Sequence, residues 1–300
     1  MIIIGGGAAG LSSAVWCADL GLKALLLEKD AKLGGQLLWT YNSIKNHLGI
    51  ETASGRELRD IFVRQAESYK FDVRLNAKFS QLDLARKTIL FENGESVSAS
   101  AIIFATGVSR RKLNVEGEEE LRNRGIIESG KRDGHLAKGK NAVVVGGGDA
   151  ALENALILSE TASTITLTHR RTDFKARIEF LEKARENPKI KILTETTVRR
   201  ILGNERVEAV ELHNPVARQT QIIPAEIVLV RIGVEPNTYN LRGAIDLDER
   251  GYIKINSSCE TNIKNIFAAG DVANPLSPTI SSAVGMGATA AKIIFARLNL

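Results

Sequence analysis

Two glycine-rich segments of the chain have the spacing of a turn that binds phosphate groups. Residues 5–10 read G-x-G-x-x-G, and residues 146–151 read G-x-G-x-x-A. In such a turn the first glycine allows a tight bend, the second lets the backbone approach a pyrophosphate, and the third small residue lets helix and strand pack closely. The helix that begins there directs backbone N–H groups and positive potential toward the phosphates. Both segments therefore predict a dinucleotide site.

The residues eighteen positions beyond each turn differ in charge. Glu28 follows an apolar run, where its carboxylate can accept hydrogen bonds from ribose hydroxyls. His169 has the same offset from the second turn and is followed by Arg170, Arg171 and, further along, Arg177. A 2′-phosphate is repelled by a carboxylate and favours guanidinium groups. The second site is therefore predicted to bind NADPH in preference to NADH, and FAD is the economical ligand for the first. The alternative at both positions is a solvated strand end without a ligand.

The residues around both turns predict a repeated strand–turn–helix–strand unit. Apolar runs that end in glycine predict buried strands, and the small and apolar residues after each turn predict helices. The predicted strands are 1–4, 23–28, 101–105, 141–145, 163–169, 252–255 and 266–269, and the predicted helices are 11–20, 152–159 and a glycine-interrupted helix to residue 300. The repeat predicts an α/β fold with two Rossmann-like domains, one inserted in the other. A discontinuous FAD-binding domain is expected at 1–109 and 237–300, with an NADPH-binding domain at 110–236.

Composition excludes several other classes of protein. The 300 residues include only two cysteines, Cys17 and Cys259, which excludes a disulfide framework, a cysteine-ligated metal centre and a C-x-x-C redox pair. No uncharged apolar run approaches the length of a membrane span, and the net charge of +5 comes without basic runs that contain stacking aromatic residues. We therefore expect a cytoplasmic protein that binds neither nucleic acid nor a membrane.

Six further motifs give the chain a resemblance to thioredoxin reductase and its low-molecular-weight flavoprotein relatives. They are GGQL at 34–37, ATG at 105–107, HRR at 169–171, FKAR at 174–177, GVEPNT at 233–238 and FAAGDV at 267–272. The resemblance extends over essentially the whole chain. It implies that Asp271 binds the ribityl chain of FAD, that Gln36 and Asn46 lie along FAD, and that Thr106 and Gly107 mark the first crossover between domains. From the residues alone, Asp271 is equally consistent with a helix N-cap at the end of a strand.

The sequence and the resemblance together predict nucleotide-binding residues but no catalytic side chain and no metal site, since catalysis would depend on positioning and on the flavin. The predicted FAD-binding residues are Gly5, Gly7, Ala8, Ala9, Gly10, Glu28, Gly35, Gln36, Asn46, Thr106, Gly107, Gly270 and Asp271. The predicted NADPH-binding residues are Gly146, Gly148, Asp149, Ala150, His169, Arg170, Arg171 and Arg177.

One departure from the family determines the predicted function. Thioredoxin reductases carry a redox C-x-x-C followed by Asp-Gly, and here Ser129 and Arg132 replace both cysteines. We therefore expect NADPH to reduce FAD and electrons to pass directly to an external acceptor. The first candidate is a ferredoxin- or flavodoxin-like protein, and a small molecule is the second. Residues 260–263 and 278–283 show a partial likeness to ferredoxin–NADP reductases of the same fold.

Two alternatives to this function remain open from the sequence. In one, a disulfide substrate binds directly over the flavin. In the other, the chain is an FAD-binding redox sensor without turnover, although the intact arginines of the second turn count against it. The resemblance also implies a homodimer and a rotation of the NADPH-binding domain.

Overall fold

The computed structural model describes residues 1–298. The chain divides into two compact units, Met1–Ser109 with Glu235–Leu300, and Arg110–Val234. The strands are β1 (Ile2–Ile4), β2 (Leu25–Leu27), β3 (Asp72–Arg74), β4 (Phe79–Asp83), β5 (Thr88–Phe91), β6 (Ser96–Ser98), β7 (Ile102–Phe104), β8 (Val108–Arg110), β9 (Ile126–Ile127), β10 (Asn141–Val145), β11 (Thr164–Thr168), β12 (Ile190–Leu193), β13 (Thr197–Leu202), β14 (Ala209–Asn214), β15 (Gln219–Pro224), β16 (Ile227–Val230), β17 (Val234–Pro236) and β18 (Ile266–Ala268). The α-helices are α1 (Ala8–Asp19), α2 (Gly55–Glu67), α3 (Gly130–Asp133), α4 (Asp149–Ser159), α5 (Ile178–Glu186) and α6 (Ile280–Leu298). Within the described part of the chain, none of these helices is long and apolar enough to cross a membrane.

The first unit is built on a parallel sheet in the order β18-β7-β1-β2-β3. Because a parallel sheet is covered on both faces, its strands read as continuous apolar runs. In β1, Ile3 belongs to a core that also contains residues of α1 and α6, whereas Ile2 and Ile4 belong to a second core that includes the antiparallel sheet β4-β5-β6. This double burial holds the end of β1 in place beside the first glycine turn.

Helix α1 packs closely on α6 because small residues line the contact. Gly287 of α6 has no room for a side chain, since a Cβ atom there would overlap the carbonyl oxygen of Ala9. The hydroxyl of Ser12 donates to the carbonyl of Val284 at 2.7 Å, and that of Ser13 donates to the carbonyl of Gly287 at 3.3 Å. These contacts position the first turns of α1, which begin inside the glycine-rich segment.

The second unit repeats this plan. Its parallel sheet has the order β12-β11-β10-β16-β9. Leu152 and Leu158 of α4 and Leu181 of α5 contribute to the core on one face, and Val198 and Val210 of the antiparallel sheet β13-β14-β15 contribute to the other. In both units the strand that leads through a glycine turn into a helix, β1 or β10, lies in the middle of the sheet. The duplication in the sequence is therefore a duplication of structure.

The chain passes between the units twice, through β8 and β17. Within the first unit, the backbone N–H of Asn237 donates to the carbonyl of Gly107 at 3.0 Å. Within the second unit, the N–H of Arg111 donates to the carbonyl of Gly233, also at 3.0 Å. The two crossing points of each unit therefore meet, as is typical of an inserted domain.

The α/β class with two parallel sheets agrees with the sequence prediction, but the predicted strand at 252–255 is wrong. Only Ile253 forms a bridge, with Leu247. The carboxylate of Asp248 accepts the backbone N–H groups of Arg250 and Tyr252, at 2.9 and 2.8 Å. Because this turn uses N–H groups that a strand would need for its ladder, the apolar alternation does not become a strand.

The helix boundaries differ from the prediction in two ways. Helices α1 and α4 begin three residues earlier than predicted, since the end of each glycine turn already has helical backbone. The last helix runs without interruption over Ile280–Leu298, although glycines were predicted to break it. The predicted continuation over 299–300 lies outside the described residues.

Candidate functional site

The first glycine turn forms an open cradle at the start of α1. Gly5 has a φ of +111°, a conformation that favours glycine, and a Cβ atom on Gly10 would overlap the carbonyl oxygen of Gly5. A Cβ atom on Gly7 would meet nothing nearer than the Cα atom of Gly35, at 3.9 Å. Gly10 is thus required for packing, whereas Gly7 leaves free space over the N–H groups of the first helical turn. This space and these donors fit the pyrophosphate of a dinucleotide.

Glu28 closes one side of the cradle. Its buried carboxylate accepts the backbone N–H of Gly6 at 2.7 Å through Oε2 and that of Asp30 at 2.9 Å through Oε1. A Cβ atom on Gly6 would lie 3.0 Å from Oε2, so the second residue of the turn must also be small. A carboxylate has about four lone-pair sites. Glu28 therefore retains capacity to accept ribose hydroxyls.

Two further segments reach the same turn. The N–H of Gly34 donates to the carbonyl of Gly6 at 2.8 Å, which places residues 34–36 beside the cradle. After β18, a Cβ atom on Gly270 would lie 2.9 Å from Cβ of Ala9, which follows Ala8 at the start of α1. These contacts bring residues from distant parts of the sequence to one place in the first unit.

Asp271 follows Gly270 as a half-buried carboxylate, and burial raises its pKa. Within residues 1–298, no hydrogen bond or ion pair engages this carboxylate. The N-cap interpretation is wrong, because α6 begins only at Ile280. A half-buried carboxylate without a protein partner is unfavourable unless a ligand supplies donors. The hydroxyl groups of a ribityl chain are donors of that kind.

The remaining residues predicted for FAD have separate positions. The amide of Gln36 donates to the carbonyl of Val108 at 2.6 Å, at the first residue of β8. Thr106 and Asn237 bond reciprocally, the Thr106 hydroxyl donating to the Asn237 carbonyl at 3.1 Å and the Asn237 amide donating to the Thr106 carbonyl at 2.7 Å. Asn46 lies in an exposed bend, and none of the contacts of the described residues joins it to the glycine turn. Sequence reasoning missed Asn237, although it belongs to the GVEPNT motif.

The second glycine turn reproduces the first with a different residue at the strand end. Gly146 has a φ of +147°, and a Cβ atom on Gly147 would overlap the imidazole ring of His169. His169 therefore has the position over the turn that Glu28 has in the first unit. Its ring contacts Phe174 at a centroid distance of 4.9 Å, and burial, opposed by a hydrogen bond to the backbone, lowers its pKa. The histidine is thus predominantly neutral at pH 7.

Five of the predicted NADPH-binding residues lie around this turn and differ in how far other side chains engage them. Arg170 and Arg171 are exposed, and no hydrogen bond or ion pair in the described part of the chain engages their guanidinium groups. Arg177 donates to the carboxylate of Asp149 from its backbone N–H at 2.7 Å and from Nε at 3.1 Å. Asp149 is the first residue of α4 and is followed by the exposed Ala150. Arg177 is therefore already neutralised, whereas the two preceding arginines remain available to an anion.

Lys175 is a cation at this turn that sequence reasoning missed. Its backbone N–H donates to the carbonyl of Gly147 at 2.8 Å, and its side chain is exposed. The signal was present as the second residue of the FKAR motif. Together with the two free arginines, Lys175 provides donors that suit a 2′-phosphate.

The segment that replaces the dithiol of thioredoxin reductases has a structural role. Ser129 is the N-cap of the short helix α3, and its hydroxyl accepts the backbone N–H of Arg132 at 3.3 Å. The guanidinium of Arg132 forms an ion pair with Asp133. The N–H of Gly130 donates to the side chain of Asn154 at 2.7 Å. The segment is thus held by polar contacts that involve no sulfur.

Neither cysteine is available for redox exchange with a solvent-borne partner. Cys17 and Cys259 are both free thiols in the core of the first unit, with 0% and 5% of their surface exposed. Burial raises the pKa of Cys17 to about 11 and also raises that of Cys259. Thiolate formation and access to a partner are both needed for thiol–disulfide exchange, and here both are suppressed.

Two parallel five-stranded sheets, each with a glycine turn at the carboxyl end of its central strand, define a protein with two dinucleotide-binding units. The chain belongs to the pyridine nucleotide-disulphide oxidoreductase family, which matches residues 1–287. The family consists of NAD(P)H-dependent flavin oxidoreductases, and its thioredoxin reductase-type members bind FAD and NADPH. The resemblance inferred from the motifs and the predicted fold class are thereby confirmed.

Individual relatives match over nearly the full chain. A thioredoxin reductase of Mycolicibacterium smegmatis is 36% identical over 293 residues, which cover 97% of this chain and 93% of the relative. A 34.2 kDa protein in the rubredoxin operon of Clostridium pasteurianum is 32% identical, with coverages of 97% and 94%. The solved thioredoxin reductase of Lactococcus lactis, in its FR conformation, has a TM-score of 0.86 at 30% identity and covers 100% of this chain and 99% of its own.

Proposed function

We propose that the protein is an NADPH-dependent flavin oxidoreductase that delivers electrons from FAD directly to an external acceptor, without a redox-active disulfide. The observation that carries this proposal is the segment at Ser129–Asp133. Where the resemblance places the reactive cysteines, Ser129 caps a helix and Arg132 pairs with a carboxylate. The two cysteines of the chain are buried elsewhere and have raised pKa values.

The first unit is proposed to hold FAD, in a domain comprising residues 1–109 and 237–300. The turn at residues 5–10 would bind the pyrophosphate, Glu28 the ribose, and Asp271 the ribityl hydroxyls. Gly35 would leave room beside the turn, and Gln36 would orient this segment through its bond to the start of β8. When bound, FAD supplies the redox chemistry, because it can take a hydride from NADPH and release electrons singly or in pairs.

The second unit is proposed to hold NADPH, in a domain comprising residues 110–236. The N–H groups at the start of α4 would bind the pyrophosphate, and the neutral His169 would lie over the turn beside the adenosine ribose. Arg170, Arg171 and Lys175 would bind the 2′-phosphate. Arg177 would contribute mainly by its ion pair with Asp149, which fixes the loop after β11 against the start of α4. The support for NADPH over NADH is the set of exposed cations without a carboxylate partner.

A ferredoxin- or flavodoxin-like protein is the proposed acceptor, with a small molecule as the other possibility. Such carriers are typically acidic, and the chain has a net charge of +5. Lys131, within the replaced dithiol segment, and Lys138, which follows it, are exposed and add positive charge to the second unit. A homodimer, as the resemblance implies, and a cytoplasmic location, as expected from the sequence, complete the proposal. Sedimentation tests the first and cell fractionation the second.

The decisive experiment mixes the FAD-loaded protein anaerobically with NADPH and follows the absorbance of the flavin band. Rapid bleaching is expected. The reduced protein is then offered ferredoxin, flavodoxin, thioredoxin disulfide and glutathione disulfide, and reoxidation of the flavin is measured for each. Faster reoxidation by one of the electron carriers than by either disulfide supports the proposal.

The matched control is the double variant Cys17→Ala with Cys259→Ala, which removes every sulfhydryl group from the chain. Reoxidation rates equal to those of the unmodified protein are expected, because neither thiol takes part. Loss of activity in this variant while the flavin still bleaches would show that a thiol carries electrons and would overturn the proposal. If a disulfide reoxidises the flavin faster than the electron carriers do, and the double variant reacts as fast as the unmodified protein, the result would favour a substrate disulfide that binds directly over the flavin.

A further inference from the structure

Arg231 is a half-buried cation at the point of the second unit where ligands of this fold bind. It directly follows β16, and its carbonyl oxygen lies so close to Gly146 that a Cβ atom on that glycine would overlap it. Strand β10 has β11 on one side and β16 on the other, so the sheet order reverses here. In parallel sheets, ligands occupy the crevice outside the carboxyl ends of the strands at this reversal. His169 marks the side of β11, and Arg231 marks the opposite side.

The hydrogen bonds of Arg231 leave its charge uncompensated. Its Nη1 donates to the carbonyl of Val230 at 2.9 Å, and its Nη2 donates to the carbonyl of Glu128. Both acceptors are neutral backbone groups. Among residues 1–298, the side chain of Arg231 has no ion pair, because the nearby carboxylates pair elsewhere, Glu128 with Arg110 at 2.8 Å and Asp133 with Arg132.

Guanidinium groups therefore outnumber carboxylates around Glu128 and Asp133, since Arg122 also contacts Glu128 at 3.5 Å. Burial, followed by the neighbouring Arg110, lowers the pKa of Arg231 to about 10, and Glu128 and Asp133 only partly oppose this effect. Arg132 lowers it further. A buried cation is unfavourable unless an anion pairs with it. The arrangement is thus one that an added negative charge would stabilise.

We propose that Arg231, supported by Arg110 and Arg132, forms a subsite for an oxyanion at the carboxyl edge of the second unit. The ligand group is a phosphate or carboxylate that an arginine fork can bind. Its source is either the phosphate on the nicotinamide side of NADPH or an anionic group on the electron acceptor. Only the first source depends on the NADPH site proposed above, and the subsite lies apart from the cations at the end of β11.

Calorimetry on the FAD-loaded protein tests this subsite directly with NADP⁺, with 2′,5′-ADP and with inorganic phosphate. The variants are Arg231→Gln and Arg231→Lys, and Arg199→Gln is the matched control, because Arg199 is an exposed arginine of β13 without an ion pair in the described part of the chain. If the phosphate of NADPH is the ligand, Arg231→Gln weakens NADP⁺ by about 10- to 100-fold and leaves 2′,5′-ADP unchanged. Arg231→Lys, which keeps the charge, recovers part of the affinity.

If the acceptor is the source, NADP⁺ binding is unchanged and the effect appears on electron delivery. The kcat/KM for ferricyanide, an anionic acceptor, then falls by about 10-fold or more, whereas that for neutral benzoquinone stays constant. In both cases inorganic phosphate binds the unmodified protein and raises its Tm, and it does so less in Arg231→Gln. Should that variant not fold, as judged by circular dichroism and thermal unfolding, Arg231→Lys replaces it in each comparison.

If Arg231→Gln and Arg199→Gln have the same NADP⁺ binding, phosphate binding and ferricyanide reduction, the proposal is overturned. Arg231 would then only stabilise the backbone at Glu128 through its hydrogen bond. A failure of the proposed function is a separate result. It would appear in the unmodified protein as the absence of flavin bleaching by NADPH, and phosphate binding would still report on the subsite.

Discussion

Gly148→Ala should separate nucleotide binding from folding, because this glycine borders empty space. Its φ of −106° and ψ of 178° are extended backbone that any residue adopts, and a Cβ atom there would meet nothing within 4 Å. Reduced flexibility of the unfolded chain adds about 0.4–1 kcal/mol of stability. Alanine is a poorer N-cap than glycine by about 0.5–1 kcal/mol. These effects offset each other, so we expect the free energy of unfolding to change by less than about 1 kcal/mol.

The effect of the same methyl group on the nucleotide should be much larger. It would fill the space through which a pyrophosphate approaches the N–H groups at the start of α4. Losing one charge-assisted hydrogen bond removes about 1.5–3 kcal/mol. Since about 1.4 kcal/mol corresponds to a factor of ten, NADP⁺ should bind roughly 10- to 100-fold more weakly. FAD content should not change, because the first unit has its own turn.

Calorimetric titration with NADP⁺ and thermal unfolding of the FAD-loaded protein measure the two quantities independently. Gly147→Ala is the matched comparison, because its Cβ atom would overlap the ring of His169, and it should therefore lower the Tm as well as the affinity. NADP⁺ affinity of Gly148→Ala equal to that of the unmodified protein would refute the assignment of this turn to phosphate binding. A fall in Tm as large as that of Gly147→Ala would refute the inference drawn from the empty space.

Three further predictions follow from the contacts of the two units. Arg170→Ala with Arg171→Ala should raise the KM for NADPH by about 10- to 100-fold and leave that for NADH nearly constant; steady-state kinetics with equal effects on both would contradict the 2′-phosphate assignment. Asn237→Ala removes the side-chain hydrogen bonds to the Thr106 carbonyl and the Ser109 hydroxyl and should cost about 1–3 kcal/mol of stability in denaturant titrations, while Asn237→Asp should cost less. The hydrogen bond from Arg297 lowers the pKa of Glu260, so this pair stabilises the fold above the ordinary glutamate pKa, and the contribution disappears as pH falls through the lowered value. Glu260→Gln should therefore flatten the fall in Tm between about pH 5 and pH 3, and an unchanged slope would show that the pair contributes nothing.

The elements that sequence reasoning predicted well are those with strong local patterns. Strand β10 coincides with its prediction, because residues 142–145 form an apolar run bounded by Asn141 and Gly146, a pattern typical of a short buried strand. The antiparallel sheets of both units were not predicted. Their strands, such as β15, are largely exposed and mostly polar, so their periodicity is weak and their pairing depends on distant partners.

The site shows the same division between local and distant information. The glycine turns could be located from spacing alone, since their backbone requirements are local. The pairing of Arg177 with Asp149 could not, because it joins residues 28 positions apart through a loop of unknown path. Arg231 carried no motif, and its significance depends on Glu128, which lies 103 positions away. A buried cation can be recognised only when its partners in space are known.

The hydrogen bond between Asn237 and Gly107 also marks a point at which the second unit could be removed from the chain or replaced. Because these two residues are neighbours in space, a two- or three-residue turn is long enough to replace everything between them. Excision at this junction would leave the first unit, for which FAD binding is proposed, as a continuous chain. The same junction would accept an unrelated nucleotide-binding domain as a graft, so the second unit could be exchanged without redesigning the first.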